Sequence, residues 1–389
     1  MQYRQFGRTG WKVSALGFGM MRLPTLDGKP MSKSIDFEET KRMVRLAIDR
    51  GVNYIDTAYA YHGGRSESVL GKILGGGYRE RVRLATKSPI GLIKRSKDFD
   101  KFLNTQLRRL RTDHIDFYLF HGLNGRSWKK VVLEHGLLKR VAAAKSEGKI
   151  NHIGFSFHDN FKAFKGIVDG FDDWSFCQIQ YNYMDTKNQA GTRGLRYAAS
   201  KGLGVVVMEP LLGGRLSEPP KAIMEMFRDE GAGISPSELA LQWIWNQPEV
   251  STVLSGMNTI NQVRANLRSA GRSGVGSLGA DRLEFIGRIE KRYRDMRPIP
   301  CTKCGYCMPC PNGVNIPANF EEFSDGFIHD DIEGARATYT RFFSRKMRAS
   351  ACKHCRKCEK KCPQKIPISE WMTKVDEVLG DGTPMGKKP

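Results

Sequence analysis

The chain has 389 residues, 40% of them hydrophobic, with Lys and Arg outnumbering Asp and Glu by 63 to 41 for a formal net charge of +22. That length exceeds what one hydrophobic core usually supports, so one large domain plus a smaller one is expected, and the apolar content excludes a disordered chain. The basic excess suits a polyanion, a phosphate-bearing ligand or a field around an anionic prosthetic group; the last two are favoured, because zinc-finger, helix-turn-helix and stacking-platform signatures are not evident.

The N-terminal MQYRQFGRTGWKVS has no apolar run before a small-residue cleavage site, and no later stretch has the length and apolarity of a membrane span. A soluble, cytoplasmic protein with neither a membrane nor a nucleic-acid partner is expected. VSALGFG (13–19) reads as an apolar strand ending in glycine, and FEETKRMVRLAIDRG places Met43, Val44, Ala47 and Ile48 on one helical face before Gly51 stops it. NYIDTA is a strand, SESVLGKIL a helix, RVRLATK a strand, KDFDKFLNTQLRRL a helix and HIDFYLF a strand. The alternation continues through VLEHGLLKRVAAAKSEGK, INHIGFSF, FKAFKGIVDG, SFCQIQYN, TRGLRYAASKG and LGVVVMEP, and closes with SPSELALQWIWNQ, VSTVLSG and INQVRANLRSA. Eight strands separated by helices and short turns close most compactly as a parallel α/β barrel, whose ligand site is expected at the C-terminal rim.

Four reactive side chains fall on or just after consecutive strand ends: Asp56 and Tyr61 in NYIDTAYAYHGG, Lys87 in RLATKSP and His121 in DFYLFHG. Taken singly, each has an ordinary role open to it: a turn cap, a loop aromatic, a cover for a nearby carboxylate, a core histidine. Together on one rim they read as catalytic. His62, Tyr59, Tyr181, Asn182 and Trp174 are candidate pocket residues, with packing roles as good an account of each.

Over roughly residues 1 to 270 the sequence resembles the aldo/keto reductases, carried by DTAxxY at 56–61, the Lys of ATK at 87 and the His ending YLFH at 121. The resemblance implies a (β/α)8 TIM barrel that binds NADP or NAD without a Rossmann domain, and the lack of a G-x-G-x-x-G after any strand agrees. It implies a tetrad of Asp56, Tyr61, Lys87 and His121. In it Tyr61 is general acid for reduction and base for oxidation, its phenol brought toward neutrality by the Lys87 ammonium; Asp56 holds Lys87, and His121 donates to the substrate oxygen. The substrate implied is a small carbonyl or alcohol. The cofactor residues implied are Ser156 and Gln178 at the carboxamide, with Gly19, Met20 and Met21 after strand one. Met208, Pro210, Leu211 and Gly213 then follow the nicotinamide and pyrophosphate, and Gly256, Met257, Gln262 and Asn266 surround the adenosine. Three departures from the family pattern bear on the cofactor. Phe157 follows Ser156 where Asn is usual, Met208 replaces an aromatic, and Gly256 and Gln262 stand where basic residues clamp a 2'-phosphate, leaving NADP against NAD open unless Arg264 or Arg268 compensates.

Eight of the nine cysteines lie between residues 301 and 362, which reads as metal ligation rather than a disulfide framework. CKHCRKCEKKCP (352–363) is the C-x2-C-x2-C-x3-C-P pattern of bacterial ferredoxins, and CTKCGYCMPCP (301–311) differs by one residue in its last spacing. Three thiolates from one loop take three irons of a cubane and the fourth iron takes a distant ligand. The expected pairing is therefore crossed: Cys301, Cys304, Cys307 and Cys362 for one [4Fe-4S] cluster, Cys352, Cys355, Cys358 and Cys310 for the other. Zinc is the competing metal, disfavoured by the two C-P endings. The helical patterns between the motifs point to a mainly helical ferredoxin-like domain. The domains expected are residues 1–280 for the barrel, 281–297 for a connecting helix after a flexible GRSGVGSLG linker, and 298–380 for the iron-sulfur domain.

Residues 345–365 hold nine Lys or Arg against the single acid Glu359. Part of this offsets cluster charge, and an exposed remainder suits an acidic redox partner such as a ferredoxin or flavodoxin. A nicotinamide moves two electrons at once and a cubane one, and no flavin motif is visible. Two functions therefore stand: a nicotinamide-dependent oxidoreductase fused to an iron-sulfur module, or an electron-transfer or redox-sensing iron-sulfur protein whose barrel is mainly a scaffold.

Overall fold

The computed structural model describes residues 1–231 and 233–380. Its first compact unit comprises Met1–Ser217 and Ser235–Ala280, its second Glu218–Ile234 with the chain from Asp281 onward. Among the described residues no helix is long and apolar enough to cross a membrane.

In the first unit, eight parallel strands close into a barrel in chain order, the last pairing with the first. They are β3 (Leu16–Gly19), β4 (Tyr54–Asp56), β5 (Arg83–Ser88), β6 (Ile115–Leu123), β7 (Ile150–Phe157), β8 (Phe176–Gln180), β9 (Gly204–Met208) and β10 (Thr252–Ser255). The expected helices lie between them. Side-chain caps start several: Asp36 accepts from the Glu39 amide at 3.0 Å, Asn160 from Ala163 at 3.1 Å, and Ser235, before Pro236, from Glu238 at 3.2 Å. One apolar core fills the space between barrel and helices, including Phe18, Val44, Leu84, Tyr118, Phe155 and Trp245.

The stretch read as one strand at 13–19 divides into two. Lys12–Ser14 (β2) pairs antiparallel with Tyr3–Gln5 (β1), and only Leu16–Gly19 joins the barrel. This hairpin delivers Phe6 and Trp11 to the N-terminal end of the barrel, where they pack on Tyr54, Phe117 and Phe176. Glycine is required beside this plug: a Cβ at Gly154 would lie 2.5 Å from the Phe176 ring, and one at Gly204 2.8 Å from Phe6. Trp174, expected near the ligand rim, instead packs against Trp128, Phe155 and Phe171 just before β8, and its indole donates to the Ile167 carbonyl at 2.9 Å. The segment read as a flexible linker is tied down, Gly276 N–H donating to the Asn246 carbonyl at 3.1 Å and Leu278 N–H to its Oδ1 at 2.9 Å.

The second unit is helical, with helices Ala280–Asp295, Ile316–Ile328, Ile332–Phe342 and Ile368–Val375. A further helix, Lys221–Glu230, has no counterpart in the sequence reading. Pro219 and Pro220 precede it; Phe227 packs edge-on against Phe285, and Glu230 pairs with Arg288 at 2.6 Å. The core includes Ile299, Val314, Phe320, Phe323, Tyr339 and Met372. At its centre Asn319 donates to the Asn315 and Met347 carbonyls, each at 2.7 Å, and accepts from Tyr339 Oη at 2.9 Å. This holds the approach to the second cysteine motif.

Phe117 touches four other aromatic rings of the plug and stacks on His152. Phe117→Ala is expected to destabilise the barrel by about 3–5 kcal/mol, read as a shifted urea midpoint of its unfolding transition.

Candidate functional site

The four rim residues converge because adjacent parallel strands hold their ends level. Asp56 ends β4 opposite Ala85 of β5, and Lys87 follows two residues on, again facing the barrel interior. Lys87 Nζ donates to Asp56 Oδ1 at 2.5 Å, to the Thr57 carbonyl at 2.8 Å and to Tyr61 Oη at 3.3 Å. His121 sits in β6 where the pairing with β7 shifts register between Phe120 and Leu123, an irregularity that re-aims a side chain at a barrel rim. Its ring stands edge-on to Tyr61, with centroids 6.0 Å apart.

Tyr61 owes its place to a pinned turn. The next residue, His62, has a left-handed backbone (φ 51°), and its buried ring bridges two segments: Nδ1 to the Ser32 carbonyl at 2.7 Å, Nε2 accepting from Leu23 N–H at 3.4 Å. The stretch before it is held by Arg109, which donates to the Tyr59 carbonyl at 3.3 Å, lies over the Tyr59 ring and pairs with buried Glu67 at 3.1 Å. Glu67 also accepts from Thr86 at 2.7 Å and from Gln106 at 2.6 Å, and Gln106 donates to the Lys87 carbonyl at 3.1 Å. This buried network braces the backbone on both sides of the Lys87 ammonium. Nothing in the sequence marks it, since Glu67, Gln106 and Arg109 occupy ordinary positions in amphipathic helices.

Electrostatics on the rim follow from burial. Desolvation works against the Lys87 ammonium, but Asp56 and Tyr61 beside it outweigh that and hold its pKa above the ordinary lysine value. For the Tyr61 phenol desolvation is the larger influence and Lys87 only offsets it, so its pKa rises instead of moving toward neutrality as the sequence reading expected. A protonated phenol at neutral pH is the proton-donating form. Desolvation, with Lys87 and His158 adding to it, lowers the His121 pKa to about 3, so that imidazole is neutral.

The residues named for a nicotinamide cofactor lie along the same rim. Gly19 pairs with Asp56, and Ser66 Oγ, which shares a 2.9 Å hydrogen bond with Thr57, donates to the Met20 carbonyl at 3.2 Å. Met20 is buried and Met21 half-buried. Ser156 and Gln178 are paired across β7 and β8, and Gln178 donates to Met208 Sδ at 3.4 Å. Ser156 Oγ accepts from Gly122 N–H at 2.8 Å, which leaves its own proton to donate, and Gln178 Oε1 is buried without a hydrogen-bond partner. One free donor beside one free acceptor fits a carboxamide. Phe157 is buried in the core. Pro210, Leu211 and Gly213 form the turn after β9, and Met257 is buried after β10. Asn266 donates to Ser255 Oγ at 3.0 Å, and Gln262 Oε1 accepts from the Asn258 amide at 2.9 Å. Arg264 and Arg268 are exposed on the helix Ile260–Gly271. Between the two turns runs Arg22, unforeseen from sequence: a Cβ at Gly256 would lie 3.0 Å from its Cβ and Cγ, and one at Gly213 3.6 Å from its Nη2. Of the other pocket candidates, Tyr181 is buried with its hydroxyl 2.8 Å from Thr192 Oγ1, and Asn182 is buried and donates to the Glu209 carbonyl at 3.2 Å.

In the second unit, Cys301, Cys304, Cys307 and Cys362 line one cavity with Ile316, Phe320 and Ile368. Three thiols from one motif and the last from the other thus meet. Cys310, Cys352 and Cys358 border the same apolar core, while Cys355 and Cys304 are exposed. Burial pushes the Cys307 thiol up to about 11, with Cys301 adding to it, and raises Cys301 and Cys358. Among the described residues no three His, Cys, Asp or Glu side chains close on a single ion position. A cubane, which takes each thiolate on a different iron, fits a set of thiols spread around a cavity.

A parallel barrel with a phenol, an ammonium and a neutral imidazole gathered on its C-terminal rim is the frame of a barrel oxidoreductase. The chain belongs to the aldo/keto reductase family, which it matches over residues 15–272, and residues 300–366 match a 4Fe-4S dicluster domain. It is 30% identical over 311 residues to L-galactose dehydrogenase of Arabidopsis thaliana, covering 75% of this chain and 93% of that protein. To 6-dehydroglucose reductase of Novosphingobium aromaticivorans it is 28% identical, covering 63% of this chain and 83% of that protein. An aldo-keto reductase from Bacillus halodurans, solved in its holo form, matches at 25% identity with a TM-score of 0.61, covering 74% of this chain and 96% of that one.

The depressed His121 value has a direct consequence. Its imidazole is expected to stay neutral from about pH 8 to 5 and to protonate only near the pKa of about 3, followed by NMR of the ring carbons. A titration at the ordinary histidine value would contradict the desolvation found here.

Proposed function

We propose that the chain is an NAD(P)-dependent oxidoreductase that interconverts a carbonyl and an alcohol by hydride transfer, with Tyr61 as general acid and base. The observation that carries this is the contact of Lys87 Nζ with both Asp56 and Tyr61, beside a neutral His121. The nicotinamide supplies the hydride in reduction and takes it in oxidation. Tyr61 Oη gives its proton to the substrate oxygen, and the phenolate left behind faces the Lys87 ammonium. Asp56 and the Thr57 carbonyl fix where that ammonium points. His121, neutral, donates a hydrogen bond to the substrate oxygen and orients it. Ser156 and Gln178 hold the carboxamide by the complementary donor and acceptor described above.

In the second unit, Cys301, Cys304, Cys307 and Cys362 are proposed to hold one [4Fe-4S] cluster and Cys352, Cys355, Cys358 and Cys310 the other. The cavity lined by the first set supports this crossed pairing. Two relatives bear sugar names, so hydroxylated aldehydes, ketones and lactols head the substrate panel.

The test is nicotinamide oxidation across that panel. Tyr61→Phe is expected to lower kcat about a hundredfold to ten-thousandfold while cofactor affinity, followed by fluorescence titration, stays within about twofold. Because the phenol is held above its ordinary value, wild-type reduction is expected to be flat through neutral pH and to fall only as pH climbs past the tyrosine range of about 10. Failure of both proteins to bind the cofactor would refute the proposal.

A further inference from the structure

The two cysteine motifs offer the same donor chemistry but differ in the exposed charge around them. The first, residues 301–311, carries one basic side chain, Lys303, and that is paired with Glu321. The helix that follows it, Ile316–Ile328, carries Glu322 and Asp325 as well, Glu322 buried. The second, residues 352–363, carries Lys353, Arg356, Lys357, Lys360 and Lys361 against the single acid Glu359, with Lys365 just beyond. All six of these basic residues are exposed. Among the described residues only Arg356 of these six has ion-pair partners, Glu359 at 3.7 Å and Glu370 at 3.4 Å. Glu359 is in turn spent on Ser369, accepting from its amide at 2.8 Å and its hydroxyl at 2.5 Å.

Charge compensation does not explain this asymmetry. Two cubanes with four thiolates each carry the same net negative charge, so compensation alone would place similar numbers of cations at both loops. Exposure does not explain it either, because each motif presents one exposed cysteine, Cys304 and Cys355. What distinguishes the second loop is five exposed lysines with no acidic partner among the described residues, around an exposed cysteine.

We infer that the loop Cys352–Lys365 is the docking face for a small acidic one-electron carrier, which exchanges electrons with the cluster beneath it. This rests on the reading that the eight thiols hold two clusters. An acidic rim on the carrier meets the lysine fan; steering of this kind acts mainly on the association rate. Per encounter, one electron leaves the carrier's reduced flavin, whose proton goes to solvent, and enters the cluster; the carrier is oxidised by one electron and the cluster reduced by one.

The test uses the full-length protein with both clusters loaded, verified by iron and sulfide content, and flavodoxin hydroquinone as the probe. The second-order rate of flavodoxin oxidation is measured by stopped flow over a series of ionic strengths. The wild-type rate is expected to fall steeply with salt. The triple variant Lys353→Glu, Lys357→Glu, Lys360→Glu is expected to be slower by about tenfold or more at low salt and nearly salt-independent. Lys162→Glu, an exposed charge on the barrel unit, serves as the control and is expected to change nothing. Unchanged iron content in the triple variant separates docking from folding. A rate that ignores salt and charge reversal in loaded protein overturns the docking face alone, whereas wild type that takes up no iron overturns both the clusters and the face. Anionic vesicles and duplex DNA are run beside flavodoxin; tighter, lysine-dependent binding to either would overturn an acidic protein carrier as the occupant.

Discussion

The first unit is arranged around a buried ion pair. Lys87 and Asp56 are both removed from solvent, their charged atoms 2.5 Å apart, and a pair of charges so placed contributes little net stability because desolvation offsets their attraction. Its value is directional. Three acceptors, the Asp56 carboxylate, the Thr57 carbonyl and Tyr61 Oη, use the three protons of one ammonium, so Lys87 has no freedom to turn away. The strand that carries it is gripped from outside the barrel by Gln106, which bonds its carbonyl, and by Glu67 through Thr86. The Lys87 ammonium is therefore held by one buried network on the inside of the strand and another on the outside, and the same outer network reaches through Arg109 to the backbone before Tyr61.

The arrangement shows why so much of this fold was legible from sequence. Barrel strands buried on both faces read as short apolar runs, and amphipathic helices between them keep the 3.6-residue period, so Ile115–Leu123 and Asp98–Leu110 announce themselves. Reactive residues stood out because Asp56, Lys87 and His121 interrupt those runs at their C-terminal ends. The features that were not legible depend on contacts distant in sequence. The hairpin strands Tyr3–Gln5 and Lys12–Ser14 have three residues each, too short for any period, and their register comes from packing Phe6 into the barrel floor. The helix Lys221–Glu230 lies in a stretch whose partners, Phe285 and Arg288, come more than fifty residues later. Trp174 was placed on the wrong end of its strand because a bulky aromatic in a loop looks the same from sequence on either side of a barrel.

The Tyr61 phenol illustrates a second kind of miss. Sequence places an ammonium near a phenol, and the simplest inference is a lowered pKa. The inference fails because it weighs the charge and omits the solvent: the rim that brings Lys87 within 3.3 Å also strips water from the phenol, and desolvation is the larger influence. The same loss of water keeps His121 neutral. One physical cause thus leaves both groups uncharged, a phenol with its proton and a neutral imidazole.

Charge in the second unit obeys the converse rule. There the basic side chains remain in water, where a pair is worth little and a field acts at a distance. Lys303 is drawn into a pair with Glu321 near the first motif, while the lysines of the second motif remain extended. Buried charge fixes geometry in the barrel, and exposed charge at the cysteine loop leaves geometry free while shaping what approaches. The excess cations that first stood out in the composition therefore divide by environment. The rim holds one ammonium, fully buried and triply bonded; the cysteine loop carries several, exposed and, among the described residues, without an ion pair.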